Sequence, residues 1–115
     1  MSLYEEFINE QEVPVIIANN NGIISAVNKQ FEKTFLWPAD RLKGLPLNTI
    51  IPEDLRDSHN MGFSRYVISG QATLLNTPLE LKILLGNGEI MLAEHLIVSL
   101  EKDGETLFAA KITPR

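Results

Sequence analysis

The sequence has no cysteine, so a disulfide framework, a zinc site with cysteine ligands and thiol chemistry are all excluded. Basic residues are scarce as well. Ten Lys and Arg residues stand against 15 Asp and Glu residues, and the formal net charge at pH 7 is −5. A nucleic-acid-binding or lipid-binding surface needs a concentrated basic patch, which this chain lacks. We therefore expect no direct binding of nucleic acid.

Long hydrophobic runs are missing too. The apolar stretch at 13–18 is far shorter than the roughly 20 residues that a membrane helix needs. Glu5 and Glu6 occupy the place where a signal peptide would carry basic residues. We expect no membrane insertion by this segment and a cytoplasmic location, with which the absence of cysteine agrees.

Motifs of the common enzyme classes are absent. The chain has no Gly-rich phosphate loop, no HExxH, no Gly-x-Ser-x-Gly and no kinase or GGDEF signature. His59 and His95 are 36 positions apart, and no nucleophile is matched to either of them. Acidic residues are plentiful, so the sequence does not exclude a catalytic pair of carboxylates, although no pair stands out. We expect that the chain is not an enzyme.

The length of 115 residues suits one domain. Residues 4–11 show a short amphipathic pattern, and residues 1–11 are predicted to form an N-terminal flanking helix. Residues 12–115 are predicted to form a single domain. In it, two β-branched runs at 13–18 and 23–27 enclose an Asn-Gly turn and predict a hairpin. Asn28 then suits the N-cap of a following helix.

The second half changes from helical to strand periodicity. Pro52 is predicted to open the longest helix, which ends at Gly70. Three strands are predicted after it, separated by Asn-Gly and Asp-Gly turns, at 74–85, 89–100 and 106–112. The fold class is therefore α+β, a five-stranded antiparallel sheet with short helices packed on one face.

These pieces, in this order, resemble a PAS domain over nearly the whole chain. The resemblance rests on Asn28-x-x-Phe31, the stretch 38–44 ending in Gly, Ile51-Pro52-Glu53-Asp54, and the hairpin at Asn87-Gly88. The family often has Arg-Lys-Asp-Gly at that hairpin, where this chain has Leu85-Gly86-Asn87-Gly88. The resemblance implies a signal-sensing and dimerisation module of a larger bacterial signal-transduction protein.

Within that family, the second half resembles the haem-binding oxygen sensors of the FixL type. The segment Pro52-Glu53-x-x-Arg56-x-x-His59 and the following Arg65-Tyr66 carry this resemblance. It implies that His59 is the axial ligand of a haem b iron and that Arg65 pairs with a haem propionate. Haem b is thus one candidate cofactor, and His59 becomes a metal ligand only if haem is bound.

The same resemblance places a distal pocket wall on Leu74, His95 and Ile97. Met91 lies on the same strand face as His95 and could be a sixth ligand. The chain differs from that subfamily at two positions. Leu79 stands where the subfamily has the distal arginine that contacts bound oxygen, and Thr73 stands where it has a histidine that binds the second propionate. Both differences argue against the same oxygen-sensing mechanism in this chain.

Plainer roles for these residues stay open. His59 could be a partly buried histidine bonded to backbone, and His95 an ordinary strand residue at a pocket edge. Arg56 could form surface ion pairs with neighbouring acids rather than bind a ligand carboxylate. The ligand, if one is bound, is not identified by the sequence.

The expected function is that of a sensory module which binds a small ligand or cofactor and relays a conformational change. The output domain, in the same polypeptide, would be a kinase, a cyclic-dinucleotide enzyme, a chemotaxis protein or a DNA-binding domain. A homodimer is expected, with the N-terminal helix as a dimer contact. The alternatives are a haem sensor of gas or redox state and a ligand-free spacer with a filled core.

Overall fold

The computed structural model describes residues 2–57 and 78–115. A helix and a hairpin open the chain, short helical segments follow, and three long strands close it. The helices are α1 (Leu3–Ile8), α2 (Lys29–Phe35) and α3 (Ala39–Leu42), followed by two 3₁₀ turns, Leu47–Ile50 and Glu53–Leu55. The strands are β1 (Val15–Asn19), β2 (Ile24–Val27), β3 (Leu79–Leu84), β4 (Ile90–Lys102) and β5 (Glu105–Pro114).

The five strands form one antiparallel sheet in the order β2-β1-β5-β4-β3. The last strand, β5, enters between β1 and β4 and pairs with both of them. The predicted α+β class and the five-stranded sheet are confirmed. The strand order depends on pairing between the two ends of the chain, which no local pattern specifies.

Turn chemistry fixes the two hairpins of the second half. Gly88 has a φ of 91°, and the turn between β4 and β5 has φ of 52° at Asp103 and 81° at Gly104. Two consecutive residues with positive φ are the requirement of a type I′ turn, which Asp-Gly meets at low cost. Both predicted hairpins are therefore confirmed.

Two predicted boundaries differ from the structure or lie outside its description. The strand predicted at 74–85 is β3, Leu79–Leu84, and residues 74–77 lie outside the described residues; Pro78, just before β3, has no N–H to donate to a strand ladder. The helix predicted from Pro52 to Gly70 begins as the 3₁₀ turn Glu53–Leu55, and its course after residue 57 lies outside the described residues.

The inner face of the sheet carries the main core. Phe31 and Phe35 of α2 are fully buried against it, with ring centroids 5.0 Å apart in an edge-to-face arrangement. The Trp37 indole N–H donates to the Leu84 carbonyl at 2.8 Å and so ties the end of α2 to β3. As predicted, the short helical segments after β2 cover this face.

The outer face is covered in part by α1 of the same chain. Phe7 is buried there among Val15, Ile17, Leu107 and Ala109. We expected the N-terminal helix to be a dimer contact, and in this chain it packs against its own sheet, while dimerisation stays a prediction.

Charged side chains hold α1 in place. The Lys111 ammonium lies 5.3 Å from the centre of the Phe7 ring and 3.5 Å from a Glu10 carboxylate oxygen. Lys102 lies 4.0 Å from the centre of the Tyr4 ring. The pKa of Glu10 is lowered, chiefly because its carboxylate accepts hydrogen bonds from the backbone N–H of Glu12 and Val13, and further by Lys111.

Asn28 joins three elements through one buried amide. Its Oδ1 accepts from the backbone N–H of Val15 and of Phe31, both at 2.9 Å, and the second contact is the predicted N-cap of α2. Its Nδ2 donates to the carbonyls of Glu10 at 2.9 Å and Val13 at 2.8 Å. Both Nδ2 protons are thus used, and the side chain fixes the exit of α1 against the start of β1.

Gly86 lies where two loops meet. Its N–H donates to the Phe35 carbonyl at 2.9 Å, and a Cβ at this position would lie 1.7 Å from the Leu36 carbonyl oxygen. Such an approach is too close for any side chain, so the backbone contact requires glycine. This explains in physical terms why the chain has Gly at this position of the hairpin.

We predict that Asn28→Ala lowers the free energy of unfolding by about 3 kcal/mol or more, because it removes two buried and two half-buried hydrogen bonds at roughly 1 kcal/mol each. Asn19→Ala is the matched control, since Asn19 Oδ1 accepts only two backbone N–H groups at a partly exposed turn. Urea denaturation measures both variants. Equal losses would contradict the role given to Asn28.

Candidate functional site

The candidate site is a pocket of about 120 Å³ on the inner face of the sheet. Its floor is centred on Ala110 of β5, which pairs with Ile16 of β1 on one side and Ile97 of β4 on the other. In the described part of the chain it is lined by Ile16, Ala18, Leu47, Ile50, Ile51, Leu81, His95, Ile97, Phe108, Ala109, Ala110 and Ile112.

Small side chains make the space. Ala18 and Ala110 occupy lining positions where a larger residue would project from the sheet into the pocket. Ala93, on the inner face of the neighbouring strand β4, is fully buried within the packed core and is not a lining residue. Alanine therefore leaves space at positions 18 and 110, whereas at position 93 it is enclosed by other residues.

The wall opposite the sheet comes from the 3₁₀ turn Leu47–Ile50 and from Ile51. Arg56 holds this turn, because its Nε donates to the carbonyls of Asn48 and Ile51, both at 3.1 Å. The sequence suggested surface ion pairs or a ligand carboxylate for Arg56. In the structure its Nε donates to these two backbone carbonyls, which positions the wall of the pocket, and the two suggested roles stay predictions.

His95 and Ile97 of β4 both line the pocket. His95 is buried, with 5% of its surface exposed, and it pairs with Leu79 of β3 and Ile112 of β5. Met91 lies further along β4, packs against the main core, and is not among the described lining residues.

The other predicted site residues, His59, Arg65 and Leu74, lie outside the described residues. The structure thus brings together His95 and Ile97, and the predicted roles of the other three stay predictions.

Sequence reasoning missed much of the lining. Phe108 and Ala110 belong to β5, and neither was singled out, although a small residue such as Ala110 is uncommon in a central strand and leaves space on the face to which it points. Leu47 and Ile50, at the two ends of a 3₁₀ turn, carry no sequence feature that marks them as pocket residues. Their place at the pocket follows from long-range packing of that turn over the sheet.

The pocket offers hydrophobic contact and little polar chemistry. His95 is the single lining residue with a polar side chain among those described, and all the others have hydrocarbon side chains. Across residues 2–57 and 78–115, no group of three or more His, Asp or Glu side chains is placed to hold a metal ion. Of the helices in the described part, none is long and apolar enough to cross a membrane.

A sequence profile described as the PAS fold matches residues 2–106, more than half of the chain. The chain belongs to the PAS family. The inner-face pocket described above is therefore a pocket of a PAS domain, formed between its sheet and its helical segments.

Known proteins of similar sequence and structure agree with this. An uncharacterised protein of Azorhizobium caulinodans is 30% identical over 97 residues, which cover 84% of this chain and 13% of that protein. This chain thus spans a small part of that relative. The PAS domain of a Desulfitobacterium hafniense protein is 16% identical with a TM-score of 0.78, and covers 96% of this chain and 99% of that one.

The fold is shared with a signalling protein as well. A PAS domain from a two-component sensor histidine kinase is 15% identical with a TM-score of 0.73, and the likeness covers 97% of this chain and 93% of that one. At these identities the two structures establish the fold.

We predict that Ala110→Leu changes the free energy of unfolding by less than about 1 kcal/mol, because the larger side chain enters the pocket instead of a filled core. Ala93→Leu is the matched control on the same face. It should cost roughly 1–3 kcal/mol or more, since no room surrounds Ala93. Denaturant unfolding of both variants tests this. A large loss at Ala110 would show that the pocket is not open space.

Proposed function

We propose that this PAS domain is a signal-sensing module that binds a small molecule in the inner-face pocket. Binding would pass a conformational change to an output domain in a larger polypeptide. The observation that carries the proposal is the pocket itself, about 120 Å³ of space over Ala110 in an otherwise packed core. Two comparisons support the proposal. The chain belongs to the PAS family and shares its fold with a PAS domain of a sensor histidine kinase. It also matches only 13% of the length of a longer relative, as expected for one module of a larger polypeptide.

Strand β5 offers a route from the pocket to the rest of the protein. Ala110 faces the pocket, while the next residue, Lys111, contacts Phe7 and Glu10 at α1 on the opposite face. At its end Arg115 pairs with Glu80 of β3 at 2.7 Å and Glu94 of β4 at 3.2 Å. A ligand that moves β5 would alter the contacts of α1 and of the C-terminal end together.

Haem is the sharper alternative, and the described residues do not fit it. Two haem propionates need cationic partners, but no Lys or Arg is among the described lining residues. The pocket of about 120 Å³ is smaller than the roughly 150 Å³ cavity that holds a single benzene, and a porphyrin contains four linked rings. His59 and Arg65, on which the FixL resemblance rests, lie outside the described residues, so haem stays a prediction from that resemblance.

Dimerisation and a spacer role stay predictions as well. Part of the outer face remains open beyond α1, where Leu92 of β4 is 44% exposed. The proposed homodimer could use this surface, and α1 itself is already packed on its own sheet. A ligand-free spacer would need a filled interior, which the pocket argues against.

We predict that at least one compound from a panel of haemin, flavin mononucleotide and small neutral ring compounds raises the thermal unfolding midpoint of this chain. A ligand that binds only the folded state adds stability in proportion to the logarithm of its concentration. Ala110→Leu, which fills the pocket, should abolish the shift. Ala26→Leu adds the same bulk on the outer face and is the control.

The outcomes separate the candidates. A shift that survives in Ala26→Leu and disappears in Ala110→Leu supports ligand sensing at this pocket. A haemin adduct with a Soret band that is lost in His59→Ala supports the haem sensor. If no compound shifts the midpoint, the chain behaves as a ligand-free spacer and the sensing proposal fails.

A further inference from the structure

We infer that the ligand of the inner-face pocket is an uncharged, mainly hydrocarbon molecule about the size of one six-membered ring. The inference rests on the proposed sensing function and narrows it to a chemical class. Three properties of the described lining carry it: the absence of charged side chains, the engagement of the backbone in the sheet, and the volume.

Charge is the first property. None of the lining residues in the described ranges is Asp, Glu, Lys or Arg, and all of them except His95 have hydrocarbon side chains. An ion that enters such a site loses its hydration, and no described lining residue carries a fixed charge of opposite sign. A carboxylate or an ammonium group is therefore selected against, and a neutral molecule is favoured.

The backbone offers nothing to a polar ligand either. The floor strand β5 is flanked on both sides, so that Ala110 pairs with Ile16 of β1 and with Ile97 of β4. In a central antiparallel strand, the N–H and C=O groups point along the sheet to neighbouring strands and are used in the ladder. The floor therefore presents Cα and Cβ atoms, and its contribution to binding is apolar contact.

The volume sets the size. A cavity of about 150 Å³ lined by Leu, Ile and Phe stays dry and binds benzene, and the pocket here measures about 120 Å³ with a lining of the same kind. A single ring with at most a small substituent fits this space. Two fused rings exceed it unless a lining side chain is shortened.

The test uses toluene as the probe, with benzoate and benzylamine as charged molecules of similar shape. Backbone amide resonances of the ¹⁵N-labelled chain are followed during titration with each. We expect toluene to shift resonances of residues at the pocket, such as Ala18, Ile97 and Ala110. We expect benzoate and benzylamine to bind about tenfold more weakly or worse, because each would bury an unpaired charge.

Two variants test where toluene binds, and a third tests the size limit of the pocket. Ala110→Leu should weaken toluene binding by about tenfold or more, and Ala26→Leu on the outer face should leave it unchanged. Ile97→Ala enlarges the pocket and should admit naphthalene, which the unchanged chain should bind about tenfold more weakly than toluene.

Each outcome is decisive. Benzoate or benzylamine binding as tightly as toluene would overturn the inference, and so would a shift by haemin or flavin mononucleotide that Ala110→Leu removes, although either would leave the sensing function standing. Toluene binding that ignores Ala110→Leu would place the ligand elsewhere and overturn the inference. Failure of every probe, charged, neutral and large, would overturn the inference and the sensing function together.

Discussion

The structure depends on the central position of β5. This strand pairs with β1 on one side and β4 on the other, and so joins the two ends of the chain in one sheet. Because side chains alternate along a strand, β5 also serves both faces. Ala110 leaves space on the inner face, while Ala109 and Lys111 support α1 on the outer face. The pocket and the N-terminal helix are thus attached to the same few residues of β5.

Asn28 adds the second constraint, since it fixes how α1 leaves the sheet. Its amide bonds to the exit of α1, the start of β1 and the start of α2. Lys111 and Glu10 then clamp the end of α1 near the middle of β5. Beyond the Asn28 contacts, α1 is therefore held on the sheet by the Lys111 contacts and by the packing of Phe7.

Local chemistry was predictable from the sequence, and long-range packing was not. The Asp103-Gly104 and Asn87-Gly88 turns and the Asn28 cap are short-range features with specific residue requirements, and all are as predicted. The alternation of β4 predicted that His95 and Ile97 share one strand face, and both line the pocket, while their roles as ligand contacts stay predictions. The insertion of β5 into the middle of the sheet, the alanine floor and the approach of Gly86 to Leu36 each join residues far apart in the chain. Periodicity and turn signals contain no information on such pairs, so the pocket had to be found in the structure.

Alanines on the sheet leave an apolar, ligand-sized space over β5. A crystal structure of the chain under xenon pressure tests it most directly, because xenon enters dry apolar cavities and is seen without chemical assumptions. We expect xenon density over Ala110, between the side chains of Ile16 and Ile97. A pocket filled by protein side chains, with no xenon in it, would show that this space does not exist.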